Sequence, residues 1–184
     1  RTRAHFLGDG YLLLDVLGRP GELRPLESFG YLLLEQCRPL FASAPEPSLA
    51  VYRTTAIAAG VTGVLMVRLL LPRTTWEPAR QIVFLGLHLA GASTLLYCGY
   101  VEHYAFLYAF LTAFTLAGVA AGEGRVSLRM PGFLLAAAMA SHLSAVLAVP
   151  ALFVLAWRGV GGVGRLKRLA SALAPIMAIL LCLF

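Results

Sequence analysis

The chain has 184 residues, 59% of them hydrophobic and only 13% charged, with 15 Lys/Arg against 9 Asp/Glu. With a mean hydropathy of +0.79, it is too apolar for a soluble domain of this length and reads as a polytopic, all-α membrane protein. The net charge of +6 does not mark a nucleic-acid partner, because the basic residues flank apolar runs and form no soluble patch.

Residues 1–47 are interrupted by charge too often to form a span, and two interfacial helices on the outer face fit them instead. Asp9 is placed to cap a helix over 10–17, which Gly18 and Pro20 then stop. A second helix is predicted over 26–38, ending before Pro39. Its apolar stripe is Leu26, Phe29, Leu33 and Cys37, opposite Glu27, Tyr31, Glu35 and Arg38.

Residues 48–184 are predicted to form the transmembrane bundle. Apolar runs cover about 48–71, 81–98, 104–121 and 131–156, and a last one begins near 170 and continues to 184. The first three approach the ~20 residues that cross a ~30 Å hydrocarbon core as helix. The chain starts without Met and its last run stops at Phe184, so a piece of a longer protein is expected.

The fourth run conflicts with simple alternation. A single crossing would put the connector with Arg158, Arg165, Lys167 and Arg168 opposite the loops with Arg73, Arg80, Arg125 and Arg129. Basic loops belong on the cytoplasmic side. A re-entrant hairpin over 131–156, turning at Ser141-His142-Leu143-Ser144, removes the conflict. The cytoplasmic side then holds nine Lys/Arg against Glu77 and Glu123, and the outer side six Arg against seven acids. Trp76 and Trp157 also fall at the cytoplasmic interface, where indoles collect. Such a turn is tolerated only beside protein or a water-filled cavity, and it would leave His142 on the floor of an outward-facing pocket.

Two acid-bearing segments would open onto that pocket. One is Leu7-Gly8-Asp9-Gly10-Tyr11, before all the spans, and the other is Gly99-Tyr100-Val101-Glu102-His103-Tyr104, between two apolar runs. Ionisable groups pressed against a bilayer are costly and are functional candidates by default.

An early outer-loop Asp, interfacial helices, an outer acid followed shortly by Tyr, and a polar hairpin turn followed by Pro150 together resemble one family. The chain is similar to polytopic GT-C glycosyltransferases of the protein O-mannosyltransferase-like and aminoarabinose-transferase-like group. Gly10 stands where many relatives carry a second acid. The resemblance implies sugar transfer from a polyprenyl-phosphate donor to an acceptor hydroxyl or lipid. It places the active site on the outer face of a bacterial cytoplasmic membrane, with membrane lipid and no nucleic acid as further surroundings.

On that reading Asp9 is the general base, since two flanking glycines leave its carboxylate open to a substrate. Capping is its other use, and the roles coexist. Glu102, His103, Tyr104 and Tyr11 line the substrate site, and His142 lies near the donor phosphate, where donors stabilise developing charge. The alternatives are a solvated loop acid for Glu102, an interfacial histidine for His103 and an aromatic belt for Tyr97, Tyr100, Tyr104 and Tyr108. His88 reads as a packing residue within its span and Arg53 as a snorkelling one.

No cofactor is expected. A divalent cation among Asp9, Glu102, His103 and His142 is chemically acceptable, but no ligand spacing supports it. Cys37, Cys98 and Cys182 have no metal spacing either, and a Cys37–Cys98 bridge and unrelated thiols both fit. The match of residues 159–164 to G-x-G-x-x-G follows a membrane helix, not a strand, and is read as a flexible basic connector. A solute transporter or flippase and a non-catalytic assembly subunit are the rival readings.

Overall fold

A computed structural model describes Leu14, Asp15, Leu17 and residues 28–91, 104–158 and 164–183. Every regular element among these residues is helical. Leu14, Asp15 and Leu17 are helical too, within the first predicted helix; the rest of that helix lies outside the described residues.

Helix α1 spans Ser28–Cys37 and tightens into a 3₁₀ turn over Arg38–Phe41. Its buried face differs from the predicted stripe. Tyr31 and Leu34 are buried, whereas Leu33 and Cys37 are only partly covered. The reason is tertiary: Tyr31 and Leu34 pack with Leu17, Leu49, Val51 and Tyr52, so the helix turns its tyrosine face to protein. A phenol accepts this, being apolar along the ring and polar at the tip.

Helices α2, Pro47–Leu70, and α3, Pro78–Ala90, both start on proline, whose fixed φ and missing N–H suit the first turn. A short 3₁₀ segment, Leu71–Arg73, ends the first of them. The remainder of the predicted 81–98 run lies beyond the described part of α3. Helix α4 covers Tyr104–Gly122, about 28 Å long at 1.5 Å per residue. Extended through its 3₁₀ end, α2 covers Pro47–Arg73, and it and α4 are, among the described residues, the two helices long and apolar enough to cross a membrane.

Only 39% of the apolar window of α2 is buried. Ile57, Val61, Val64, Leu65 and Leu69 point outward from it, and Ile82, Val83 and Leu87 do so from α3. A contiguous apolar face of this kind marks a surface that meets other protein or lipid. Buried hydroxyls are satisfied within their own helices: Thr55 donates to the carbonyls of Val51 and Tyr52, and Ser141 to that of Ala137.

The chain leaves α4 through a Schellman turn. Gly124, at φ 74°, lets its own N–H reach the Ala121 carbonyl and that of Arg125 reach Ala120. Helix α5, Arg129–Ser141, is then only about 20 Å long. It stops at His142, whose φ of −161° and ψ of 129° are extended. A 3₁₀ segment, Leu143–Ala148, leads into α6, Val149–Arg158. The last helix, α7, runs from Arg165 to Leu183. It begins five residues before the predicted start, so Arg165, Lys167 and Arg168 belong to helix and not to the connector.

The chain turns back at His142. Leu155, near the end of α6, lies against Gly118 and Gly122 at the end of α4, and Gly122 adjoins the turn into α5. The Arg168 guanidinium donates to the Ala156 carbonyl, satisfying an orphan acceptor at the end of α6 and joining it to the start of α7. Gly132, at the start of α5, meets the Ala172 backbone of α7. Thr75, after α2, donates its N–H and hydroxyl to Glu123 at 2.7 and 2.6 Å. Thr75, Glu123, Arg158 and Arg165 therefore gather at one end of the molecule, with Trp76 and Trp157 beside them. His142 lies at the other end.

The α5–α7 crossing depends on one missing methyl. A Cβ on Gly132 would clash with the Ala172 carbonyl oxygen, whereas one on Gly86 would meet nothing within 4 Å. Gly132→Ala should therefore destabilise the protein by about 1–3 kcal/mol, the usual cost of overpacking, while Gly86→Ala is tolerated. Thermal unfolding of both variants in detergent checks the difference, and equal midpoints would refute it.

Candidate functional site

The end of the molecule opposite the basic segments is built on the break between α5 and the following 3₁₀ turn. The final bond of α5 runs from the His142 N–H to the Ala138 carbonyl. Because His142 is extended, the next N–H groups lose intrahelical partners. The imidazole takes the place of a capping side chain: its Nδ1 accepts from the Ser144 N–H at 3.1 Å and lies 2.8 Å from the Ser144 hydroxyl.

This contact assigns the tautomer. A backbone N–H can only donate, so Nδ1 carries a lone pair and the neutral ring bears its proton on Nε2. Imidazole Nε2 is thus the ring's donor, held in orientation by two bonds on the opposite side.

Tyr104 is the second element. It opens α4 and is 38% exposed, with its ring centroid 5.0 Å from that of His142 and the planes inclined at 48°. An edge-tilted pair of this kind fixes both rings without stacking them flat. Ser141 is fully buried beneath, and its carbonyl lies 3.5 Å from where a Cβ on Gly30 would sit. Helix α1 therefore passes over the turn, with Gly30 in van der Waals range of the Ser141 carbonyl.

Of the residues singled out from the sequence, the structure brings Tyr104 and His142 together. Asp9, Tyr11, Glu102 and His103 lie outside the described residues, although Glu102 and His103 immediately precede Tyr104 in the chain. Ser144 carries a role that sequence reasoning did not give it. The only signal for it was a hydroxyl two residues after a histidine at a helix break.

The residues outside this site follow packing. His88 is half-buried and lies nearly parallel to Phe84, with ring centroids 6.3 Å apart. Arg53 is exposed near the start of α2. Cys37 is a free thiol. Among the described residues no group of three His, Cys, Asp or Glu side chains is disposed to hold a metal ion.

No protein-family model matches the chain, and neither a curated protein nor a solved structure is significantly similar to it.

His142 can be separated into its cap and its imidazole. His142→Ala removes the acceptor for the Ser144 N–H and should lower stability by about 1 kcal/mol, the usual loss for an N-cap. His142→Asn restores a capping oxygen and should recover most of that loss. Unfolding midpoints of the two variants check this; equal destabilisation would remove the cap from the account.

Proposed function

We propose that this chain is part of a polytopic membrane glycosyltransferase of GT-C type. It transfers a sugar from a polyprenyl-phosphate donor to an acceptor hydroxyl or lipid at the outer face of a bacterial cytoplasmic membrane. The observation that carries the reading is the polar turn at His142, set against Tyr104 at the end of the molecule away from the basic segments.

Three features support a membrane setting. Two helices have the length and apolarity of spans. The outward faces of α2 and α3 are aliphatic. Arg73, Arg125, Arg158 and Arg165 belong to segments that meet at one end, as cytoplasmic loops would. A helix of thirteen residues such as α5 is too short to cross a ~30 Å core alone, so the α5–α6 pair enters and returns. The turn then floors a pocket opening outward, between the acid-bearing segments around Asp9 and Glu102.

In the proposed reaction Asp9 takes the proton of the acceptor hydroxyl as its oxygen bonds to the sugar's anomeric carbon. The bond from that carbon to the donor phosphate breaks, and the electron pair leaves with the phosphate. His142 Nε2–H donates to a phosphate oxygen, and Tyr104, Glu102, His103 and Tyr11 contact the substrates. No metal is required in this scheme.

Two measurements on the full-length protein test the proposal. Single cysteines at Gly161, Thr75 and Ser127 should all react with an impermeant thiol reagent from the cytoplasmic side alone. Labelling of Gly161 from the outside would show that the fourth run crosses once, leaving no floor for the pocket. In reconstituted vesicles, Asp9→Asn should reduce transfer from a polyprenyl-phosphate sugar at least 100-fold without changing expression. Unchanged transfer would exclude Asp9 as the base, and solute uptake without any glycosyl product would replace the enzyme by a carrier.

A further inference from the structure

A second feature lies at the basic end, away from the proposed transfer site. A groove of about 420 Å³ runs between α4 and α6 over Phe114, Gly118, Gly122, Ala151 and Leu155 and opens at Arg158. Its volume falls within the range of about 300–1,000 Å³ common for small-molecule sites. Phe114 lies about 12 Å along the helix from Gly122, close to the ~15 Å depth of one leaflet. On the far side of Val154 a shallower hollow of about 270 Å³, lined by Phe153 and Trp157, also reaches Arg158.

Two apolar troughs meeting at one cation have the outline of a two-chain lipid with an anionic head. The charges favour this occupant. Arg158 is exposed and forms no hydrogen bond or ion pair among the described residues. The acid beside the groove, Glu123, has both oxygens engaged by Thr75. The neighbouring basic side chains are differently occupied: Arg165 lies 4.7 Å above the Trp157 ring, and Arg168 bonds the Ala156 carbonyl. Lys167 adds further positive charge nearby in α7. Besides Arg158, the polar side chain lining the groove is Thr115, which donates to its own helix at the Leu111 carbonyl.

We infer that an anionic glycerophospholipid of the cytoplasmic leaflet docks here, its phosphate on Arg158 and its two acyl chains in the troughs on either side of Val154. The inference rests on the membrane-spanning reading above but not on the glycosyl-transfer reaction. The bound lipid would fill the α4–α6 groove and hold the returning helix of the hairpin against α4.

The test uses the full-length protein in phosphatidylcholine vesicles containing one-fifth phosphatidylglycerol. Either phosphatidylglycerol or phosphatidylcholine carries a diazirine on its acyl chain, and crosslinked peptides are mapped by mass spectrometry. Residues 114–122 and 151–158 should be labelled at least fivefold more by the phosphatidylglycerol probe at equal probe density. Arg158→Gln should bring that preference down about fivefold, the contribution of one basic side chain near an anionic surface. Gly118→Leu, which fills the groove, should reduce labelling there by both probes. The outward face Ile57–Leu69 should be labelled equally by the two probes in every variant.

Equal labelling of the groove by both probes would leave only ordinary boundary lipid and overturn the inference. So would an undiminished preference in Arg158→Gln. An unlabelled groove beside a labelled Ile57–Leu69 face would mean that protein covers it, which also overturns the inference while leaving the membrane reading intact. Absence of labelling on every face would remove the membrane reading itself.

Discussion

A helix that stops inside an apolar layer leaves backbone N–H groups that must find partners within the protein, and the break at His142 is where this chain meets that demand. The imidazole accepts from Ser144, and the His142 carbonyl accepts from Ala145, so the reversal is closed by groups two and three residues away. Those bonds fix which ring nitrogen bears the proton. They also let α6 return to the end from which α5 started. Without the reversal, the basic segments would divide between two ends of the molecule.

Close backbone approach does the rest. Gly132 against Ala172 joins α5 to α7, and Ala56, Ala59 and Ala105 join α2 to α4. Small residues let these backbones come close, and interdigitated side chains add dispersion contacts across the helix pairs. Leu116, Leu135 and Leu152 are fully buried at the centre of this packing. Polar contacts that tie separate segments together lie at both ends: Thr75 with Glu123 and Arg168 with Ala156 at one, and His142 with Ser144 at the other. That segregation puts a structural end and a candidate reactive end on opposite sides of the same bundle.

Much of the local structure was legible because helix boundaries are set by nearby chemistry. The run over 104–121 became a helix of Tyr104–Gly122, and the break fell within the Ser141–Ser144 turn. The convergence of basic segments was legible from the positions of Lys and Arg alone, since that pattern encodes sidedness and not fold. The face of α1 was not legible. Tyr31 read as part of the polar face with Glu27, Glu35 and Arg38, yet it is buried, because the neighbours that cover it come from Leu17 and the start of α2. The start of α7 was misplaced for a similar reason: Arg165 and Arg168 look like connector until Trp157 and the Ala156 carbonyl receive them.

Composition and the spacing of apolar runs determined by themselves that this is a helical protein with segments of membrane-spanning length, because a long apolar run can satisfy its own backbone only as helix. They also set which residues are available for chemistry at the turn. Only the tertiary structure decided that Tyr104 meets His142, that α1 passes over the turn at Ser141, and that two troughs converge on Arg158. Each of these is a meeting of residues 30 or more positions apart, or of two faces of neighbouring helices. Such encounters depend on how closely backbones approach, a quantity that no local pattern of residues records.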